Sequence, residues 1–147
     1  MQKETSFWVP GIPQPGGSKK AFRNKYTGKV IIVEDAKRNK DWRASVAQAA
    51  SDHFPKPLTG AVAVRFEFFF LRPKGHFGSG RNRDQLKESS PKHHITKPDA
   101  LKIARGTEDA LTGIAWRDDS QITIEVIKKL YNGKTGARIT IMVLDED

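Results

Sequence analysis

Asp99 and the adjacent pair Asp118-Asp119 are the residues of this sequence best suited to chemistry, because they are acids set among many cations. Carboxylates hold Mg²⁺ through hard oxygens, and Mg²⁺ so held polarises a phosphoryl oxygen and activates water for in-line attack. The chemistry they suggest is phosphodiester hydrolysis. Each acid also has a structural reading. Asp99 follows Pro98 at a helix start, where aspartate caps free N–H groups and suits the helix dipole. Asp118-Asp119 stand just before a strand, where acids serve polar turns. Lys102 and Arg105 either neutralise a phosphate and the charge that develops on it, or line a solvated flank.

Both acidic positions depend on one helix. It is predicted from Pro98-Asp99 to Thr112-Gly113, with proline in the first turn and glycine at the stop. At about 100° per residue, Asp99, Lys102, Gly106 and Asp109 share one sector, while Leu101, Ala104 and Leu111 share another. One face is therefore expected to be polar and the other to join the core. Roughly 13 residues make about 20 Å of helix, so Asp118-Asp119 reach Asp99 only if the chain doubles back. Gly113 permits that reversal, and residues 114–117 can then run beside the helix. Asp109, about three turns beyond Asp99, is too far away to share one ion with it and takes a supporting or structural part.

The remaining elements supply a frame. Residues 5–9 read as a strand running into a loop of prolines and glycines, GIPQPGG. Ser18-Lys19-Lys20 and Arg23 lead to a turn at Thr27-Gly28 and a β-branched arm, Val30-Ile31-Ile32-Val33. A first helix is predicted from Glu34 or Asp35 to about His53, with Trp42, Val46, Ala49 and Ala50 at helical spacing. Residues 61–71 (AVAVRFEFFFL) form the strongest strand and should be central. Residues 121–131 and 137–144 around Asn132-Gly133 read as a closing hairpin. The order, roughly ββαβαββ, predicts an α+β fold in which a mixed sheet packs against two main helices.

Composition sets the class. A chain of 147 residues with 37% hydrophobic content makes one modest core, so a single domain over 1–147 is expected. No apolar run approaches a membrane span and the start lacks a signal-peptide layout, so a soluble cytoplasmic protein is expected. Without cysteine, any metal must sit on carboxylates or histidines, and His53, His76, His93 and His94 lack zinc-finger spacing and read as loop residues. The net charge of +9 suits a polyanionic partner. Its surplus lies in two blocks: residues 17–43 and 72–105 each carry nine Lys/Arg against three acids, whereas 106–147 carry five against eight. Residues 73–96, basic and without period, form a long loop expected to stay disordered until DNA binds.

The run Lys97-Pro98-Asp99, Lys102, Arg105, Glu108-Asp109-Ala110-Leu111-Thr112-Gly113 and Trp116-Arg117-Asp118-Asp119-Ser120-Gln121-Ile122 resembles the signature of RusA-type Holliday junction resolvases over 26 residues. The opening strand, the turn at Gly11, Pro13 and Pro15, and the basic residues after it are similar to the family too. This resemblance implies a homodimer that binds four-way DNA junctions and makes paired symmetric nicks. The cofactor implied is Mg²⁺ with Mn²⁺ as a substitute, and the setting is recombination and repair in a bacterial or phage-infected cell. Asp99, Asp118 and Asp119 are implied as metal ligands and catalytic acids, with Asp119 the essential member of its pair. Arg105 falls where many members have a functional lysine, keeping the charge with different geometry. The family commonly runs Pro-Asp-Xaa-Asp-Asn, whereas Leu101 and Lys102 stand at the last two positions here, one carboxylate fewer. Mg²⁺ keeps several waters, which makes a sparse site tolerable, and Glu108, Asp109 or a partner subunit are the available substitutes.

DNA contacts are expected from Lys19, Lys20 and Arg23 and from Lys74, Arg81, Arg83, Lys87, Lys92, His93 and Lys97, which would position phosphates rather than read bases. Phe77 either wedges into the junction or anchors its loop. Two other classes of protein remain: a non-catalytic junction-binding accessory protein, and an RNA-binding module.

Overall fold

Strict alternation in residues 62–70 buries Val62, Val64, Phe66, Phe68 and Phe70 on one side of a strand, and the fold is assembled around it. The computed structural model describes residues 3–16, 19–23, 26–28, 30–34 and 37–144, and within these the side chains of 19–23, 30–34 and 37–38 lie outside the description. In chain order the elements are β1 (Glu4–Pro10), β2 (Lys19–Arg23), β3 (Val30–Glu34), α1 (Lys37–Ser51), β4 (Val62–Phe70), α2 (Ala100–Leu111), β5 (Ile122–Tyr131) and β6 (Gly136–Val143). The main sheet has the order β1-β6-β4-β5, and β2 and β3 form a separate antiparallel pair. The α+β class and the mixed sheet with two helices are as expected. Both helices pack on the sheet face carrying Phe66 and Phe68, where Trp42, Val46, Ile103, Leu111 and Trp116 complete one core. Among the described residues no helix is long and apolar enough to cross a membrane.

The closing hairpin is corrected. β4 lies between β5 and β6, parallel to β5 and antiparallel to β6, so the two last strands never pair. The connection of 132–135 steps over the end of β4, where Asn132 N–H donates to the Phe70 carbonyl at 2.9 Å. Four extended residues reach about 13 Å, enough to cross one intervening strand at roughly 10 Å. A strand as apolar as β4 gains from partners on both edges, and that gain decides the order.

The segment 73–96, read as a long basic loop, has no long helix or strand but does contain local turns. One-turn 3₁₀ helices form at Lys74–His76 and Gly80–Asn82, and Phe77 bridges Leu86 to close a small hairpin. Phe77 is half-buried there, as in the anchoring reading. The segment is tied down at its ends: Arg72 lies 4.5 Å over the Tyr131 ring and donates to the Pro91 carbonyl at 2.7 Å, while His94 stacks on Phe70 at 4.0 Å.

Candidate active site

The first acid follows the Thr96–Pro98 turn that delivers the chain to α2. Asp99 occupies the N-cap position, yet its side chain makes no capping bond; only its carbonyl joins the helix, accepting from Ile103 N–H at 3.1 Å. The carboxylate faces the Lys102 ammonium at 3.6 Å, both groups more than half exposed, so this pair orients little. The capping role is therefore not what Asp99 does here.

Asp118 and Asp119 divide their work. Asp118 caps the short turn Asp119–Gln121, accepting from Ser120 N–H at 2.9 Å, and those Ser120 bonds hold its carboxyl below the usual range. Gln121 completes the box and does more. Its Oε1 accepts from Arg117 N–H at 2.8 Å and Asp118 N–H at 3.1 Å, and its Nε2 donates to the carbonyls of Leu58 and Gly60 at 3.0 and 2.9 Å. One amide thus fastens the acidic turn to the loop before β4. Asp118 caps the turn through Oδ1, and Asp119 makes no capping bond.

The chain doubles back as expected, but the reversal is tight. Gly113 ends α2 with a positive φ of 91°, its N–H donates to the Trp116 carbonyl at 2.7 Å, and buried Trp116 donates through Nε1 to Thr112 Oγ1 at 3.1 Å. Asp119 therefore emerges at the C-terminal end of α2, and β5 runs back beneath the helix. Glu125 meets Glu108 at one end, and Lys129 meets Pro98 at the other. Four strand residues and the nine helix residues from Asp99 to Glu108 each span about 13 Å. Asp99, Asp118 and Asp119 consequently do not gather into one ligand group, and among the described residues no three His, Asp or Glu side chains do.

What meets instead is a carboxyl pair, Glu108 and Glu125. Burial, a hydrogen bond shared with Glu125, and the charges of Glu125, Asp119 and Asp109 push the Glu108 carboxyl up to about 8. Between about pH 4.5 and 8 the folded protein holds a proton that the unfolded chain has released, so stability falls as pH rises through that window. Below it the carboxyl is neutral in both states and the cost vanishes. Glu108→Gln should accordingly leave unfolding unchanged near pH 4. At pH 9, allowing for the screening of a half-exposed group, it should stabilise by about 1–2 kcal/mol. Equal denaturant midpoints for both proteins at pH 9 would remove the carboxyl pair.

Several sequence-derived assignments change place. Leu101 is 73% exposed and does not join the core face; it lies seven residues before Glu108 and so on the same side of the helix. Gly106 leaves the polar sector and is buried against Gly16, whose N–H donates to the Lys102 carbonyl at 2.8 Å. Asp109 is structural, paired with Arg43 of α1 at 3.1 Å. Lys102 and Arg105 are exposed on α2, and Lys74, Arg81, Arg83, Lys92 and Lys97 are exposed along the preceding segment. The side chains of Lys19, Lys20 and Arg23 lie outside the described residues. Glu125 and Lys129 were missed. Period-two spacing puts both on one side of β5 with Ile127, but only the sheet order shows that this side faces α2.

A family model described as Endodeoxyribonuclease RusA matches residues 10–143 of the chain. Uncharacterized protein YqaN of Bacillus subtilis (strain 168) is 30% identical over 139 residues, covering 93% of this chain and 93% of its own.

Proposed function

Because the chain belongs to the RusA endodeoxyribonuclease family, we propose that it resolves four-way DNA junctions by Mg²⁺-dependent, paired symmetric nicks made by a homodimer, in recombination and repair. The observation that carries this reading is the match of the family model over residues 10–143, which span Asp99 and Asp118-Asp119, in a chain of net charge +9. Carboxylates are hard oxygen donors, and the neighbours that raise the Glu108 carboxyl are negative charges whose repulsion a divalent cation would relieve, which suits Mg²⁺ or Mn²⁺. Asp119 with Glu108 or Glu125 would hold the ion; when bound, it supplies charge neutralisation and an activated water.

The chain's own residues do the rest. Arg105 and Lys102 stand exposed on α2, where they would draw a backbone phosphate in and offset its charge. Asp99, uncommitted to capping, offers a second carboxylate at the far end. Arg81, Arg83, Lys74, Lys92 and Lys97 would hold the junction arms by their phosphates, a contact that weakens with salt. Two symmetric nicks need two sites, and Ile124 and Val126, 53% and 42% exposed on the outer side of β5, give a second copy an apolar surface to cover.

A synthetic four-way junction, incubated with and without Mg²⁺ and mapped on all four strands, tests the reading. Paired nicks at symmetric positions that vanish on chelation are expected. One observation favours a second reading, that of a junction-binding accessory protein: Leu101 puts an exposed apolar side chain where the family commonly has an aspartate. Tight binding without nicks under either Mg²⁺ or Mn²⁺ would make that reading the better one.

A further inference from the structure

Asp99 has no side-chain bond that would place it, apart from the exposed contact with Lys102, so its position must come from the backbone that precedes it. That backbone is held by β5. The Lys129 ammonium donates to the Thr96 carbonyl at 2.6 Å and to the Pro98 carbonyl at 2.7 Å, the two oxygens on either side of Lys97. Both are short, charge-assisted bonds. Lys129 is itself fixed, paired in register with Phe68 of β4, and its carbonyl accepts from His94 N–H at 3.1 Å. The turn entering α2 is thus bound to β5 from two directions, and the Asp99 carboxylate lies within electrostatic reach of the ammonium. Among the described residues no other side chain donates to either carbonyl.

We propose that Lys129 is a positioning residue for cleavage: it clamps the Thr96–Pro98 turn to β5 and so sets where Asp99 stands relative to Asp119, Glu108 and Glu125. This rests on the reading that Asp99 serves strand cleavage. A lysine that only attracted DNA would point its ammonium at solvent, whereas this one spends two of its three hydrogens on main-chain oxygens. Lys128, its neighbour, is exposed on the opposite side of the strand and has the same charge, which makes it the control.

Lys129→Met, Lys129→Arg and Lys128→Met would be compared by three measurements: hydrogen exchange of the DNA-free protein, junction affinity in Ca²⁺, and single-turnover nicking in Mg²⁺. In Lys129→Met, amides from Thr96 to Leu101 should exchange about tenfold faster while those of β6 keep their protection. Nicking should slow by about 10- to 100-fold, the usual cost of losing a partner that orients a ligand, with junction affinity within about threefold. Lys129→Arg, which can still donate to both carbonyls, should recover most of both losses, and Lys128→Met should behave as wild type. Unchanged exchange in Lys129→Met, or a nicking loss matched by Lys128→Met, overturns the proposal. A wild-type protein that never nicks overturns the cleavage reading alone, and the exchange data still decide whether Lys129 holds the turn.

Discussion

Replacing Asp119 with alanine is expected to abolish junction nicking, by about 10³-fold or more, while junction binding stays near wild type. The separation follows from the division of labour in the Arg117–Gln121 turn. Asp118 supplies the cap and Gln121 supplies four hydrogen bonds, so the turn keeps its shape without the Asp119 side chain. What is lost is the carboxylate that stands within electrostatic reach of Glu108, on the path from α2 to β5. Removing a negative charge cannot weaken attraction for a polyanion, so affinity should hold or rise slightly. Single-turnover nicking together with gel-shift affinity checks both halves. A variant that cuts within about tenfold of wild type would take Asp119 out of the chemistry.

The second large effect concerns stability, and its sign opposes helix propensity. Alanine is favoured over glycine inside a helix by about 1 kcal/mol, so Gly106→Ala on α2 ought to stabilise. Here a Cβ at position 106 would stand 2.8 Å from Gly16 Cα and 2.9 Å from Gly16 N, closer than real contacts allow. Both obstacles are backbone, and the Gly16 N–H bond to the Lys102 carbonyl at 2.8 Å ties the segments together, so neither can yield cheaply. The clash should outweigh propensity and cost about 2–3 kcal/mol net. That lowers the melting temperature by roughly 5–10 °C for a chain of this size. A melting temperature that rises would mean the N-terminal loop does not pack on α2 this closely.

Much of the local structure was legible in the chain. The strand at 62–70 is marked by β-branched and aromatic alternation, α2 by Pro98 before it and Gly113 after it, and the acidic turn by its place before a β-branched run. α1 is described over Lys37–Ser51 and ends two residues before His53, as helix ends often shift. The basic segment of 73–96 has the composition of a loop, and its ends are anchored by Arg72 on Tyr131 and His94 on Phe70. Those partners are distant in sequence, and composition carries no record of them.

By itself the sequence determined the α+β class, the family signature, the two acidic positions at either end of a helix-and-turn unit, and the basic blocks that favour a nucleic-acid partner. These are properties of spacing within one or two turns of helix or of residue type, which local sterics and charge decide. Tertiary structure alone decided that β4 separates β5 from β6, that Asp118 caps while Asp119 does not, that Glu125 meets Glu108, and that Lys129 grips the turn before Asp99. The physical reason is common to all four. Periodicity says which side of an element faces inward, but which partner waits there is chosen by the burial of β4 on both edges and by the close approach of Gly16 to Gly106.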